Sequence, residues 1–442
     1  MSDDLPVSSQ GEGLARRITF IPLVLYGVGD ILGAGVYGLI GKAAGEMGYA
    51  VWLAFATSMV AAGLTGLSYA SLGSRYPRAG GAAYYTLRAF RKGFLAYGIG
   101  LAVLASGLTS MATATRVFAG YLHGLLSFVP IPLALLLFLL GLSGLVFWGI
   151  RESMWANSLC TVIELAGLVI VIAVGLPAWG QVNYLQGPAS LGGSGEITLQ
   201  LMLTGAVLTF YSFVGFEDMA NTAEEVHDVE TTLPRALLTA IAIASVIYMA
   251  VSISAVSVVP PAALAQSPQP LVEVVTRALP GFPSPVFSAI ALFAVANTAL
   301  LNYIMGSRLI YGMAQQGLLP AILGRIHPVR RTPYVSTLTI FFLVTFLAAI
   351  GDVSSLARAT SVLLLIGFTV VNLSLVILKL RPGEPAGRLE VPLGIPLAGA
   401  AVSVAMLTQA KALELTLAGG VLLGIVLLYF LVRPRAEALD QL

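Results

Sequence analysis

The chain has 442 residues, of which 57% are apolar and only 10% charged, with a mean hydropathy of +0.91. A water-covered exterior calls for about a quarter charged residues, so a soluble globular protein is excluded. A net charge of +2 decides nothing, but a single cysteine, Cys160, excludes an intrachain disulfide and a thiolate metal cluster, and three histidines near span ends (His123, His227, His327) argue against a histidine-bound metal or haem.

Residues 1–15 are polar, carry Asp3, Asp4 and Glu12, and read as a cytoplasmic tail, not as the basic start of a cleaved signal. A membrane helix needs about 20 mostly apolar residues. Twelve stretches qualify: 19–41, 47–72, 94–126, 132–150, 156–177, 199–223, 235–259, 285–316, 334–350, 355–378, 391–410 and 414–432. Loop lysines and arginines are strongly biased to one side. Arg16, Arg17, Arg75, Arg78, Arg88, Arg91, Lys92, Arg151, Arg235, Arg325, Arg330, Arg331, Lys379, Arg381, Arg388, Arg433 and Arg435 fall there, against Lys42, Arg277, Arg358 and Lys411 on the other. The positive-inside rule puts the richer side, and both termini, in the cytoplasm, as expected of a multi-pass plasma (inner) membrane protein.

Two spans are interrupted. The first reads Tyr26-Gly-Val-Gly-Asp-Ile-Leu-Gly-Ala-Gly-Val-Tyr-Gly38, and the sixth reads Thr209-Phe-Tyr-Ser-Phe-Val-Gly-Phe-Glu-Asp218. Helix-interior glycine costs roughly 1 kcal/mol relative to alanine, and an ionisable group at bilayer depth roughly 2.5 kcal/mol or more. Broken backbone is tolerated in a membrane only where it is buried in protein or lines a cavity. The two breaks lie five spans apart on antiparallel spans, which predicts an inverted repeat of five plus five helices. The expected divisions are a first repeat over 16–177, a second over 199–378, two appended helices over 391–432, and a cytoplasmic tail over 433–442.

At Gly33-Ala34-Gly35 the glycines let the backbone leave helical geometry, and the half-helix that follows offers free N–H groups to a carboxylate. Alternatively, the small residues serve close helix packing. In the sixth span, carbonyls of Tyr211, Ser212 and Val214 would be freed before Gly215 and suit an ammonium group. Tyr211 is placed either to gate the site or simply to pack.

These stretches resemble the amino acid–polyamine–organocation superfamily, close to its bacterial and cationic-amino-acid permeases. The likeness rests on Gly29-Asp-Ile-Leu-Gly-Ala-Gly-Val-Tyr37, Tyr76-Pro-Arg-Ala-Gly-Gly-Ala-Ala-Tyr84, Phe213-Val-Gly-Phe-Glu217, Ala223-Glu-Glu-Val226 and Ser307-Arg-Leu-Ile-Tyr-Gly-Met-Ala314, in order from about Arg16 to Arg435. The resemblance implies an all-α, twelve-helix fold of the sodium-coupled leucine transporter type with discontinuous helices one and six. It implies a secondary transporter without a cofactor, not an enzyme, whose partners are an amino acid, a coupling ion and the bilayer. The substrate site expected from the two breaks and the resemblance is Ile31, Gly33, Ala34, Gly35, Tyr211, Ser212, Val214 and Gly215, with Asp30 added on its chemistry alone. Coupling to protons, or to sodium, falls to Glu164, Glu217, Asn297 and Thr298. Glu164 stands where proton-coupled relatives often carry lysine, so that mechanism does not transfer.

Asp30 is unusual for the family and is placed to pair with a substrate ammonium or a basic substrate, or else to stand neutral or paired with a buried arginine. Arg116 is expected to pair with one of the buried acids, Arg308 to snorkel to the interface, and Glu224, Glu225, Asp228 and Glu230 to form a solvated loop or an inner gate with Arg75 or Arg78. Symport and exchange of amino acids stay open, with a polyamine or organic-cation carrier as the alternative and an ion channel more distant.

Overall fold

The computed structural model describes residues 18–78, 80–126, 128–188, 197–267, 269–350 and 353–432. The two expected tails, Arg16, Arg17, Arg433 and Arg435, and the side chains of Ala34 and Arg358, lie outside the described residues.

Long apolar runs fold as helices because lipid offers no partner to the backbone. They are α1 (Phe20–Leu32), α2 (Ala34–Met47), α3 (Val51–Arg75), α4 (Gly81–Phe90), α5 (Gly93–Leu125), α6 (Ile131–Trp148), α7 (Ile150–Gly175), α8 (Leu199–Phe210), α9 (Val229–Val258), α10 (Pro261–Gln266), α11 (Pro270–Ala278), α12 (Ser284–Gln315), α13 (Tyr334–Ile350), α14 (Val353–Leu380), α15 (Gly394–Leu407) and α16 (Ala412–Val432). Among the described residues, nine helical stretches are long and apolar enough to cross a membrane, the broken stretch Phe20–Arg75 counting as one. Tyr334–Ile350 and Gly394–Leu407 are shorter apolar helices. The fifth span starts six residues earlier than expected, because Arg151 and Glu152 can sit in its solvent-exposed first turn. Helices α4, α10 and α11 were not anticipated, being too short or too polar for a span.

Helix α3 packs along α9, α5 along α12 and α14, and α1 between α7 and α9. The outer faces of α6 and α16 present Leu133, Leu137, Leu140, Leu423, Leu427 and Leu431, a surface suited to lipid and not to water. Cross-contacts define two ends of the bundle. At the Phe20 end, Ile18 bridges Val226, Arg75 meets Glu390, Arg88 meets Glu384, and Arg330 reaches the Trp148 carbonyl. At the Met47 end, Trp52 donates to the Tyr184 carbonyl, Trp179 to Ser254, and Lys411 meets Glu46.

Candidate functional site

Both sequence breaks are breaks in the structure, and they touch. Helix α1 stops at Leu32 and α2 starts at Ala34, with Gly33 between them at φ −49° and ψ −139°. No side chain caps α2, so its first-turn amides lack helical partners. A Cβ at Gly33 would run into the Thr298 hydroxyl, and one at Gly35 would lie 2.7 Å from Ser212 Cα. In the sixth span, α8 ends at Phe210, a 3-10 turn covers Tyr211–Phe213, and a 3-10 segment resumes over Phe216–Glu225. Gly215 sits at φ +124°, a conformation closed to most L residues, and a Cβ there would lie 2.7 Å from Asp30 Cγ.

The expected free carbonyls are corrected in part. Tyr211's carbonyl accepts from the Val214 amide at 3.3 Å, and Ser212's from the Tyr248 hydroxyl at 2.6 Å. The same Tyr248 hydroxyl also meets the Ile31 carbonyl, so one side chain of α9 pins both breaks. The Val214 carbonyl alone meets no donor among the described residues. Sequence reasoning missed Tyr248; its signal was the one tyrosine of its span, whose hydroxyl must find a buried partner.

Asp30, Ile31, Gly35, Tyr211, Val214 and Thr298 line one small cavity, completed by Ser110 and Asn302, which the sequence reading also missed. Tyr211 donates to or accepts from Ser110 at 3.2 Å. Tyr211 also lines a second, larger pocket of about 540 Å³ at the Met47 end, with Lys42, Glu46, Gln409 and Lys411. The ring is thus the partition between an outer vestibule and the central cavity.

The four expected coupling residues separate into two groups on opposite sides of α1. Glu164, Asn297 and Thr298 lie on the α7 and α12 side, where Asn297 donates to Thr161 at 3.0 Å and Thr161 to Asn157 at 3.2 Å. Among the described residues both Glu164 oxygens and the Asn297 carbonyl oxygen are buried without a hydrogen-bond partner at ordinary distance, with the Asn297 side chain next to Glu164. Glu217 is instead across the site with Asp30 and Asp218, and accepts from the Gly215 amide at 3.0 Å. Among the described residues no group of acids, histidines or cysteine has the arrangement of a metal site.

Three further expectations are corrected. Arg308 does not snorkel; it is 1% exposed and pairs with Glu225 at 3.3 Å, because α12 buries its inner turns against the sixth span. Glu225 is therefore no loop acid, although Asp228 and Glu230 are exposed. Arg75 pairs with Glu390 and not with the acidic run. Arg116 donates to the Ala348 carbonyl rather than to Asp30, Glu164 or Glu217, since its place on α5 faces α13.

A family model described as amino acid permease matches residues 18–432. The chain is 30% identical over 430 residues to the vacuolar cationic amino acid transporter 4 of Arabidopsis thaliana, covering 90% of this chain and 68% of that one. It is 32% identical over 402 residues to the chloroplastic cationic amino acid transporter 9 of the same plant, covering 85% and 68%. An uncharacterised transporter of Mycobacterium bovis is 29% identical over 414 residues, covering 93% and 90%. The chain spans about two thirds of the plant relatives' length. With the match running across both broken spans and their partners, the chain belongs to the amino acid permease family of the amino acid–polyamine–organocation superfamily.

Proposed function

We propose that the chain carries amino acids across the membrane by alternating access. One observation carries the reading: the uncapped amides of α2, the Val214 carbonyl and the Asp30 carboxyl converge on the same cavity. The amides of Ala34 and Gly35 take the substrate carboxylate, as a helix N-terminus takes any anion. The Val214 carbonyl and Asp30 take the ammonium, with Ile31, Ser212 and Gly215 forming the backbone walls. Tyr211 is the lid. The missing side chains of Gly33, Gly35 and Gly215 let Thr298, Ser212 and Asp30 close directly on the two breaks.

Transport is coupled to protons, as symport or exchange, with Glu164, Glu217, Asn297 and Thr298 as the coupling groups. Support comes from the buried Glu164 and Glu217 carboxyls and from a cavity lining that, among the described residues, includes no basic side chain. The topology is twelve spans, with 16–177 and 199–378 as inverted repeats, in a plasma membrane with the arginine-rich Phe20 end in the cytoplasm. The names of the plant relatives favour a cationic side chain on the substrate.

The test is uptake into proteoliposomes of labelled arginine, lysine, leucine and putrescine, with and without a pH gradient and with choline in place of sodium. Arginine or another amino acid should accumulate in a gradient-dependent, sodium-independent manner. Gly35→Val should abolish uptake in protein that still inserts, because the new side chain overlaps Ser212. Uptake by that variant at the wild-type rate would refute the assigned site. The second reading, a polyamine carrier, is favoured by the carboxyls alone, and putrescine uptake without any amino acid uptake would establish it.

A further inference from the structure

Asp218 has no part in the site above, yet it is one of the most deeply placed acids in the chain. Asp30, Glu217 and Asp218 are 5%, 2% and 3% exposed and come from the two broken spans. Both Asp30 and Glu217 sit against Gly215: a Cβ there would meet the Asp30 carboxyl carbon, and the Gly215 amide donates to Glu217 at 3.0 Å. Asp218 closes the turn, its amide donating to the Gly215 carbonyl at 3.1 Å.

The three carboxyls are not equivalent. Glu217 has backbone donors, from Gly215 and from its own amide. Asp30 Oδ2 and Asp218 Oδ1 have none, and the Tyr26 hydroxyl beside them, fully buried, is also without a partner. The facing groups supply no spare positive charge. From α1 comes Tyr26, from α3 Tyr69, from α7 Glu164, from α8 and its 3-10 turn Tyr211, from α9 Tyr248, and from the 3-10 segment Glu217 and Glu225. Arg308 of α12 is the cation that reaches the cluster, and it is engaged by Glu225 and Ser307.

We infer that Asp30 and Asp218 form a proton-binding site, in which one proton lies between their two otherwise unpartnered oxygens and links the inner half of the first span to the inner half of the sixth. Two buried acceptors without a donor are costly, and two adjacent buried carboxylates repel. A single shared proton removes both penalties at once. Resting on the transporter reading, a consequence follows: a substrate ammonium that pairs with Asp30 takes the proton's place, and the proton leaves Asp30–Asp218 for water when the spans part at the Phe20 end. Proton and cationic substrate then compete for Asp30, which selects exchange of substrate against proton over symport.

Infrared spectroscopy of the protein in lipid tests the site without any substrate. A protonated carboxyl C=O band is expected at neutral pH. It should shift when the protein carries 13C-carboxyl aspartate, since Asp30 and Asp218 are the only buried aspartates among the described residues. It should be lost in Asp218→Asn. Absence of any such band overturns the inference outright, and a band unmoved by labelled aspartate overturns it and assigns the proton to a glutamate such as Glu164 or Glu217. The second measurement titrates arginine into weakly buffered protein with a pH dye while binding is followed calorimetrically. Up to one proton should be released per arginine bound, and none in Asp218→Asn. Binding without release overturns the competition. Absence of arginine binding to wild type, with the infrared band present, instead counts against the substrate reading and leaves the proton site standing.

Discussion

The two ends of the bundle are closed by different physics. At the Phe20 end, Arg308 and Glu225 are 1% and 2% exposed and 3.3 Å apart, and Ile18 is stitched to the sixth span by amide bonds to Glu225 and from His227. Around them, Arg75 and Lys379 share Glu390, and Arg88 and Arg381 share Glu384. At the Met47 end Lys411 and Glu46 pair across the vestibule, 3.5 Å apart with side chains 54% and 34% exposed. A buried pair is strongly destabilised by losing one member, whereas an exposed pair contributes little. Of these two pairs the buried Arg308–Glu225 is therefore the stronger latch, and the Tyr211 ring stands between the Met47-end pocket and the central cavity.

Substitutions at the two ends test that difference. The largest effect is expected from Arg308→Met, which leaves Glu225 buried and alone. The penalty is about 3–5 kcal/mol, so the midpoint of thermal unfolding in detergent should fall by several degrees, and Arg308→Met with Glu225→Leu should recover much of it. A single variant that melts with wild type would remove the buried latch from the account. An intermediate effect is expected from acid. Partial burial pushes the Glu390 carboxyl up, but hydrogen bonds from Arg75, Lys379 and the Gly387 amide, with the Arg75 charge, pull it from 4.5 to about 2. A depressed carboxyl stabilises the fold above its unfolded pKa and loses that contribution as pH falls. Stability should thus decline between about pH 4.5 and about pH 2, and Glu390→Gln should be less stable at neutral pH and flatter over that window. An unchanged acid limb in Glu390→Gln would rule this group out as its source. Smallest is Lys411→Ala, at most about 1 kcal/mol and screened by salt. A melting loss as large as that of Arg308→Met would invert the comparison.

Much of this was legible from residue type alone. The breaks at Gly33-Ala34-Gly35 and Val214-Gly215 were readable because glycine and acid in an apolar span have few tolerable explanations. Span positions followed from hydropathy, which depends on local sequence. What failed was pairing. Nothing local distinguishes Arg308, which is buried by α12 packing on the sixth span, from an arginine able to reach water. Arg116, by contrast, was expected to find an acid and found a backbone carbonyl. Splitting Glu217 from Glu164 needs the rotation of α1 between α7 and the sixth span, a three-dimensional fact. Tyr248 was overlooked because its partners are carbonyls freed by the breaks, not side chains that a sequence displays.

The bridge between Ile18 and Val226 also has a consequence for how the protein is made. About two hundred residues separate the partners, and synthesis at 5–20 residues per second leaves roughly 10–40 s between them. Through that interval α1 has none of its sixth-span contacts, and Asp30 waits without Gly215 or Asp218. The first span is thus a provisional occupant of the bilayer until the sixth arrives. A cysteine placed in α1 should react with an aqueous thiol reagent in a nascent chain stopped after Gly175 and be protected in one stopped after Val258.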